Sequence, residues 1–270
     1  MSSVVLLTGQ APQHQFVSTV LHEVLGHKLK AVIMESPRRE SSRSRIKRAA
    51  RRYSPDQILS RIHWRVWRHA SGAEKRDRVI LWKTLFPGGP PKELPGDLLV
   101  VVPDHNGPEC QGLLRELRPY VLAVYGTDLI RAPVIELAGG PALNLHTGIS
   151  PQYRGAGSVF WALHNEEPEW IGSTVHILAT KVDAGSILTT VRPKIAADDG
   201  VASLFAKCVK VGARAYAEQI LAVIAGTARA TPQDLSIGHQ YRFVDRTVKA
   251  ERRVGKLLKD GLLHRYASGT

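Results

Sequence analysis

Cysteine and long hydrophobic runs are both scarce in this 270-residue chain. The two cysteines, Cys110 and Cys208, lie far apart and form no C-x-x-C pair, which argues against a disulfide framework and a cysteine zinc site. No apolar stretch approaches the roughly 18 residues that a membrane-spanning helix needs. The N-terminal stretch MSSVVLLTGQAPQ lacks the basic start and long apolar centre of a signal peptide. We therefore expect a cytoplasmic protein without a transmembrane segment.

The positive charge of the chain is unevenly distributed. The formal net charge is +13, yet residues 36–85 alone hold fifteen Lys and Arg against four Asp and Glu. Residues 239–270 hold eight Lys and Arg against three Asp and Glu, so the rest of the chain is slightly acidic. A near-neutral body therefore carries two basic segments, and the high pI describes those segments rather than the body.

Alternating apolar runs and amphipathic stretches predict the fold class. The runs VVLLT (4–8) and LKAVIM (29–34) flank a helical pattern over 14–26, which is the strand–helix–strand opening of a parallel sheet. Further strands are predicted over 98–102, 120–125, 142–146, 173–179 and 187–191, and helices over 108–117, 132–137, 158–165 and 200–225. The sequence thus predicts an α/β fold, a Rossmann-like, mostly parallel sheet with helices on both faces.

The stretch ALNLHTGISPQYRGAG (142–157) begins in a predicted strand and continues past its carboxyl end, where open α/β sheets bind ligands. Asn144 and His146 stand two residues apart in that strand, so their side chains point to the same face. A carboxamide and an imidazole on one face can stabilise an oxyanion. The segment between His146 and Asp183 has room for one helix and one strand, so Asp183 can return to the same edge and orient the imidazole.

This arrangement needs no serine or cysteine nucleophile if the substrate is itself an amine, so it points to acyl transfer. Taken alone, the same residues also fit a structural interpretation. A histidine at a strand end can form its hydrogen bonds with the backbone of a turn, and the Asp-x-Gly of residues 183–185 can be a simple turn.

The combination of NLHTGISPQYRGAG with the later VDAGSIL resembles the folate-dependent formyltransferases, the family of glycinamide ribonucleotide, methionyl-tRNA and amino-sugar formyltransferases. The resemblance covers residues 98–225 and, in outline, 4–34. It implies a formyltransferase that uses 10-formyltetrahydrofolate as co-substrate and needs no metal, with Asn144, His146 and Asp183 as catalytic residues. In the implied reaction a substrate amine attacks the formyl carbon. Asn144 and protonated His146 stabilise the oxyanion, and Asp183 supports the histidine and relays a proton through water.

The resemblance also implies where the donor and the acceptor bind. Two loops at strand ends would enclose the pteridine ring, partly through backbone groups: Tyr125, Gly126, Thr127, Asp128, Leu129, Ile130, Val182, Ala184 and Gly185. The loop after His146 would face the acceptor: Thr147, Gly148, Ser150 and Arg154. Arg154 has two interpretations, contact with an acidic group of the acceptor or bracing of the loop. The segment TGISP (147–151) departs from the Ser-Leu-Leu-Pro that is common in the family.

Segments outside the resemblance narrow the choice of acceptor substrate. About 45 residues follow the last long predicted helix, fewer than the separate C-terminal domain of the tRNA-formylating branch. The predicted core begins at residue 4, without the regulatory domain that precedes the core of the related hydrolase. The turn over 9–12 differs from the phosphate-cradling loop of the glycinamide ribonucleotide enzymes. We therefore expect a small-molecule amine, first an amino sugar nucleotide. The alternatives are an amino-acid-derived amine and glycinamide ribonucleotide.

These observations predict one formyltransferase catalytic domain over 1–227, interrupted by a basic helical insertion over 36–96. A basic C-terminal extension over 228–270 follows, and its polar composition predicts no second hydrophobic core there. The sequence leaves a homodimer open as the assembly.

The basic insertion has two interpretations. Arg61, Trp64, Arg65, Trp67 and Arg68 alternate cation and aromatic, which favours a phosphate-rich ligand such as nucleic acid, an anionic membrane surface or a nucleotide-linked substrate. The other interpretation is a solvated helical lid whose tryptophans pack on the body. A different class of function, a nucleic-acid- or membrane-binding protein on a reused formyltransferase fold, is disfavoured because all three catalytic positions are filled.

Several histidines outside the motif have no partner at metal-ligand spacing: His14, His105, His164 and His176. We predict structural roles for them and no metal site.

Overall fold

The structure, a computed structural model, describes residues 3–36, 53–179 and 182–268. Residues 37–52 of the predicted insertion lie outside these ranges. The strands are β1 Val4–Thr8, β2 Leu29–Glu35, β3 Leu99–Val102, β4 Val121–Val124, β5 Ala142–His146, β6 Tyr153–Gly155, β7 Ser173–Ile177, β8 Ile187–Val191 and β9 His239–Tyr241. The α-helices are α1 Pro12–Leu25, α2 Pro55–Ala70, α3 Ala73–Leu85, α4 Pro108–Leu117, α5 Ala132–Ile135, α6 Ser158–His164, α7 Val201–Ile224, α8 Val248–Lys259 and α9 Leu262–Ser268. Among these helices of the described residues, none is long and apolar enough to cross a bilayer.

Seven strands form one sheet in the order β3-β2-β1-β4-β5-β7-β8. The first five of these pair in parallel, whereas β7 runs antiparallel to both β5 and β8. The predicted Rossmann-like, mostly parallel sheet is confirmed. The chain begins at β1, moves outward through β2 and β3, and returns with β4 to the other side of β1. Ligands of open α/β sheets bind at the carboxyl ends of the strands at such a reversal.

Helices cover both faces of the sheet, as predicted. In β1, Val4 and Leu6 pack into a core formed with α1 and α7, whereas Val5 and Leu7 pack into a second core formed with α4. The first four positions of VVLLT are therefore apolar, because successive side chains enter opposite, equally buried faces. Burial of both faces makes this strand a rigid base for the loops at its carboxyl end.

Both cysteines pack as small apolar residues. Cys110 of α4 and Cys208 of α7 are free and fully buried, each in a different hydrophobic cluster. Burial raises the pKa of the Cys110 thiol to about 12, which keeps it protonated and unreactive.

A buried tyrosine of α7 joins the two strands that carry the candidate site. The Tyr216 hydroxyl accepts a hydrogen bond from the Val124 amide at 2.7 Å and donates one to the Leu143 carbonyl at 2.8 Å. The hydroxyl is fully buried, and both bonds go to backbone groups of β4 and β5. A satisfied polar group of this kind fixes local geometry, so α7 holds the two strand ends in register.

The insertion is anchored to the C-terminal extension through one carboxylate. Glu251 of α8 accepts hydrogen bonds from Trp64 Nε1 at 2.9 Å, Arg68 Nη1 at 3.0 Å and Arg246 Nε at 2.9 Å. Only 11% of the Glu251 side chain and 12% of the Arg68 side chain are exposed. Removing one member of such a buried network lowers the free energy of unfolding by about 3–5 kcal/mol, because the remaining charges lose their partners. The two basic segments of the sequence therefore lie against each other.

Among the described residues, the apolar side chains of the extension pack in a hydrophobic cluster that they share with earlier helices, not in a second core of their own. Ala250, Val254, Leu262 and Leu263 pack in one cluster with buried residues of α6 and α7. In addition, β9 pairs in parallel with β6, next to the loop that follows β5. The apolar residues of α8 recur about once per turn among many basic ones, so the overall composition hid a narrow amphipathic stripe.

Candidate active site

The motif residues converge at the carboxyl edge of the sheet. Asn144 and His146 lie at the end of β5, and Asp183 lies in the loop between β7 and β8. All three line a cleft of about 1470 Å³. The expectation that Asp183 returns to the edge where Asn144 and His146 end is therefore met.

His146 is held by a hydrogen bond at Nε2 and by an ion-pair contact at Nδ1. Its Nδ1 lies 3.4 Å from Asp183 Oδ2, and its Nε2 lies 2.9 Å from the Tyr153 carbonyl oxygen. A carbonyl oxygen only accepts, so Nε2 carries a hydrogen and donates it to Tyr153. The ring is thereby oriented with Nδ1 toward Asp183.

The loop after His146 approaches the ring closely at one glycine. A Cβ added to Gly148 would lie 2.3 Å from His146 Nε2 and 2.5 Å from the Ser158 side chain. Such a distance is far below van der Waals contact, so any side chain at 148 would displace the imidazole. Gly148 therefore permits the packing of His146 in its present position.

Asp183 is a buried carboxylate with several compensating contacts. Burial alone would raise its pKa, but nearby His146 and His176 and the hydrogen bond from the Gly155 amide outweigh that effect. The Gly155 N–H donates to Oδ2 at 2.8 Å. The net result is a pKa below the usual range of an aspartate, so Asp183 is ionised at neutral pH.

The backbone of Asp183 adopts a left-handed conformation, with φ of 48°. Aspartate is among the few side chains that tolerate this region, and its carbonyl here accepts a hydrogen bond from Gln233 Nε2 at 3.0 Å. The turn predicted from Asp-x-Gly is thus stabilised by a residue of the C-terminal extension.

His176 belongs to the same network, although its sequence context predicted only a structural role. Its Nε2 lies 3.4 Å from Asp183 Oδ1 and 3.1 Å from Asn144 Nδ2, and its Nδ1 donates to the Ile177 carbonyl at 2.8 Å. The antiparallel register of β7 on β5 places His176 opposite Asn144. No spacing in the sequence reveals that register, so the contact was not predictable from the motif.

Most of the residues that the resemblance assigns to the donor line the cleft: Tyr125, Gly126, Thr127, Asp128, Leu129, Ile130 and Val182. The Tyr125 side chain is 3% exposed and packs in the core, so only its backbone faces the cleft. Leu129 is 57% exposed and presents an apolar surface there. Among the described residues of these loops, Ala184 and Gly185 do not line the cleft.

Gly126 and His14 pack together beneath the 125–130 loop. Gly126 has φ of 64°, and a Cβ there would lie 2.3 Å from His14 Cε1. His14 accepts the Gly9 amide at Nδ1, 3.2 Å away. Burial, together with the neighbouring His105, lowers the pKa of His14 to about 4. A neutral imidazole therefore supports the loop, and both histidines line the cleft.

The acceptor-side predictions separate into one residue in the cleft and three outside it. Thr147 lines the cleft, whereas Gly148, Ser150 and Arg154 are not among the described residues that line it. Ser150 is 3% exposed, and its amide donates to Thr174 Oγ1 at 3.1 Å. These positions shape the loop behind the cleft surface.

The cleft extends to both basic segments of the sequence. Arg61 and Arg65 of α2 line it, as do Arg242 and Phe243 of the extension. No sequence motif marked the last two residues. Within residues 3–36, 53–179 and 182–268, no three His, Cys, Asp or Glu side chains are grouped to hold a metal ion.

Comparisons with known proteins agree with this geometry. Residues 101–220 match the family model described as formyl transferase. A methionyl-tRNA formyltransferase of Chlorobium chlorochromatii is 32% identical over 136 residues, which are 50% of this chain and 43% of that protein. The chain spans about half or less of the length of the curated relatives it matches.

Solved structures share the fold over nearly the whole chain. A sugar N-formyltransferase from a Shewanella species has a TM-score of 0.57 and 12% identity, covering 94% of this chain and 87% of that one. An N-formyltransferase from Helicobacter canadensis, in complex with folinic acid and dTDP-3-aminofucose, has a TM-score of 0.55 and 14% identity, covering 92% and 73%. Identities this low establish likeness of fold alone.

Proposed function

We propose that this chain transfers a formyl group from 10-formyltetrahydrofolate to the amine of a small molecule, in keeping with the match of residues 101–220 to the formyl transferase family model. One observation carries the proposal: Asn144, His146 and Asp183 meet at the carboxyl edge of the sheet inside one large cleft. The catalytic domain of the proposal covers residues 1–227, with the basic insertion placed beside the cleft.

The residues of the 125–130 loop and Val182 fit a flat heterocyclic donor. Leu129 and Val182 are 57% and 39% exposed and present apolar surface in the cleft. The backbone around Gly126 is free of side chain, so its N–H and C=O groups are accessible to the edge of a ring. When bound, the donor supplies an activated formyl group, and these residues place it toward β5.

Asn144 and His146 stabilise the negative charge that develops on the formyl oxygen. His176 Nδ1 donates to the Ile177 carbonyl, so Nε2 is the ring nitrogen that can accept one hydrogen of the Asn144 amide. The other hydrogen faces Asp183 Oδ1 at 3.4 Å, longer than the usual distance of about 2.9–3.0 Å. That hydrogen is available to a substrate oxygen. His146 Nδ1 supplies the second donor, since Nε2 is committed to Tyr153.

Asp183 controls the protons of the reaction. Its depressed pKa keeps it a carboxylate, which orients the His146 ring and relays a proton through water. The attacking amine forms a new C–N bond and loses a proton. The bond between the formyl carbon and the folate nitrogen breaks, and that nitrogen receives a proton.

An amino sugar nucleotide is the acceptor that we favour. The cleft of about 1470 Å³ exceeds the roughly 300–1,000 Å³ typical of a site for one small ligand, so it has room for a donor and a sizeable acceptor together. The Helicobacter canadensis structure, with folinic acid and dTDP-3-aminofucose on a similar fold, supports this choice. An amino-acid-derived amine and glycinamide ribonucleotide are the competing small acceptors, and the curated relatives add methionyl-tRNA as a further competitor.

The donor site is tested by calorimetry with 5-formyltetrahydrofolate, a stable analogue of the donor. We expect micromolar binding to the wild-type protein and weaker binding to Asp183→Ala, because Asp183 orders the loop that carries Val182. Absence of binding to folded wild-type protein would contradict folate-dependent transfer.

The acceptor is tested in a formyl-transfer assay that follows release of tetrahydrofolate. Amino sugars linked to UDP or dTDP, glycinamide ribonucleotide, amino-acid amines and methionyl-tRNA are compared at equal concentration. We expect turnover with a nucleotide-linked amino sugar. Turnover with methionyl-tRNA alone would overturn the choice of acceptor and leave formyl transfer in place.

A further inference from the structure

One wall of the cleft is built by guanidinium groups from two segments far apart in the sequence. Arg61 and Arg65 stand one helical turn apart on α2, so they share a face of that helix. Arg242 follows β9 in the extension, and it also lines the cleft. The contact of α2 with Glu251 of α8 holds the two segments together. Tertiary structure thus assembles a cationic surface inside the cleft of the proposed reaction.

Neighbouring arginines show that this surface is not simply part of the anchoring network. Arg68, less than one turn beyond Arg65, is ion-paired with Asp77 and Glu251, and Arg246 is ion-paired with Glu251. Arg61 and Arg65, in contrast, make no ion pair or hydrogen bond with residues 3–36, 53–179 or 182–268. Two arginines therefore line the cleft without an ion-pair or hydrogen-bond partner among the described residues.

Arg242 is only loosely engaged. Its Nη2 lies 3.4 Å from Asp245 Oδ1, and 55% of its side chain is exposed. An exposed ion pair of this length contributes about 0–1 kcal/mol, so an incoming anion can replace it at low cost. Beside Arg242, the ring of Phe243 is 63% exposed and also lines the cleft.

We infer that Arg61, Arg65 and Arg242 bind the diphosphate of a nucleotide-linked acceptor, with Phe243 stacking on its base. The inference rests on the proposed function and assigns the acceptor subsite of the same cleft. Guanidinium groups match phosphate oxygens in paired, planar hydrogen bonds, and an exposed aromatic ring stacks on any base. A nucleoside diphosphate combines both features in one ligand.

The folate donor also carries anionic groups, the carboxylates of its glutamate tail. Those carboxylates end the molecule, with no flat ring beyond them for Phe243 to contact. The pairing of cations with an exposed aromatic ring therefore favours the nucleotide over the donor tail. The experiment separates the two by measuring each ligand alone.

The test uses the full chain and calorimetry with UDP, dTDP, pyrophosphate and 5-formyltetrahydrofolate as separate probes. The variant is Arg61→Ala/Arg65→Ala. The matched control is Lys75→Ala/Arg78→Ala, which removes the same charge from exposed positions of α3 that do not line the cleft. Circular dichroism and thermal melting establish that each variant is folded.

We expect the Arg61→Ala/Arg65→Ala variant to bind UDP and dTDP about a hundredfold more weakly, since each charge-assisted contact is worth about tenfold. The dissociation constant of 5-formyltetrahydrofolate should change by less than about twofold. The control should bind every probe as the wild type does. Phe243→Ala should weaken UDP binding about tenfold and leave pyrophosphate binding unchanged, because stacking involves the base alone.

Three results decide against the inference. If the wild type binds 5-formyltetrahydrofolate but neither UDP nor dTDP, the nucleotide subsite is wrong while formyl transfer stands. If the double variant loses folate binding and keeps UDP binding, the arginines serve the donor tail. An equal loss of UDP binding in the Lys75→Ala/Arg78→Ala control would show that binding depends on the net charge of the protein and not on contacts of Arg61 and Arg65. Failure of wild-type folate binding refutes the proposed function, and the UDP measurements then still decide the subsite independently.

Discussion

Replacing Asp183 by asparagine removes one charge from the centre of the network and preserves the size of the side chain. In the folded protein this carboxylate lies 3.4 Å from His146 Nδ1, with 12% of its side chain exposed. At an effective dielectric constant of about 20, a unit charge at that distance interacts with a protonated imidazole by about 5 kcal/mol. The asparagine variant loses this charge–charge interaction. It also loses the carboxylate that relays a proton in the proposed mechanism.

We expect kcat for formyl transfer to fall about 100- to 10,000-fold, the range associated with losing general acid–base catalysis. The KM for the donor should change far less, because an asparagine oxygen can still accept the hydrogen bond from the Gly155 amide and keep the loop that carries Val182 ordered. The assay is single-turnover formyl transfer at saturating donor and acceptor, so that the chemical step is observed rather than product release.

Asp199→Asn is the matched control. The Asp199 side chain is 5% exposed, forms an ion pair with Lys207, and does not line the cleft. Both variants remove a buried carboxylate and should lose stability, but only Asp183→Asn should lose kcat. A folded Asp183→Asn enzyme with wild-type kcat would refute the assignment of Asp183 to catalysis.

The depressed pKa of Asp183 also sets the sign of a pH effect on stability. A carboxylate whose folded pKa lies below the ordinary value of 3.8 stabilises the fold above that pH, and this contribution is lost as the pH falls toward the folded value. The unfolding free energy of the wild type should therefore fall more steeply below about pH 4 than that of Asp183→Asn. Parallel acid profiles of the two proteins would contradict the ion pairs drawn from Asp183.

Four further variants, at three positions, test the surroundings of the site. His176→Asn removes the ring nitrogen that contacts Asn144 and Asp183, so kcat should fall about 10- to 100-fold with little change in donor KM. His176→Gln, whose longer amide reaches the same point, should recover much of that loss in the same kinetic assay. Gly126→Ala places a Cβ 2.3 Å from His14 Cε1, and urea denaturation should show a loss of about 1–3 kcal/mol in unfolding free energy. For His14, the folded pKa of about 4 lies below the ordinary 6.5, so its stabilising contribution is present above pH 6.5 and is lost as the pH falls toward 4. Between pH 7 and pH 4 the wild type should lose about 3 kcal/mol more in unfolding free energy than His14→Gln, measured by urea denaturation at each pH.

Each of these predictions has a control variant or a result that would contradict it. If His176→Gln is as slow as His176→Asn, the contact with Asn144 does not position the amide. Gly255→Ala, in the open middle of α8, should be neutral or stabilising by about 0.5–1 kcal/mol, so an equal loss at Gly126 and Gly255 would point away from the His14 contact. Equal pH dependence in the wild type and His14→Gln would show that His14 titrates freely.

The alternation of apolar runs predicted the sheet closely. Strands expected over 4–8 and 142–146 appear as Val4–Thr8 and Ala142–His146, and the long helix expected over 200–225 appears as Val201–Ile224. Buried parallel strands are apolar at every position, so their pattern is strong and local. Two short strands, β6 and β9, were not predicted, because three residues that pair across a large sequence separation have no local pattern of their own.

The C-terminal extension shows the limit of composition. Its many cations predicted a polar segment, yet four apolar side chains of α8 and α9 enter a shared core with α6 and α7. A narrow apolar stripe becomes meaningful only when another surface is available to cover it. That surface is formed by residues roughly 40 to 110 positions earlier in the chain, beyond the reach of any window along the sequence.

By itself the sequence determined the fold class, the strand that carries Asn144 and His146, and the return of Asp183 to the same edge. These depend on local periodicity and on the rule that parallel strands end together. Only the tertiary structure decided that His176 joins Asp183, that Gly148 packs against His146, and that α2 and the extension bring arginines into one cleft. The register between strands and the packing of separate helices are non-local: they arise when distant segments bury their surfaces against each other.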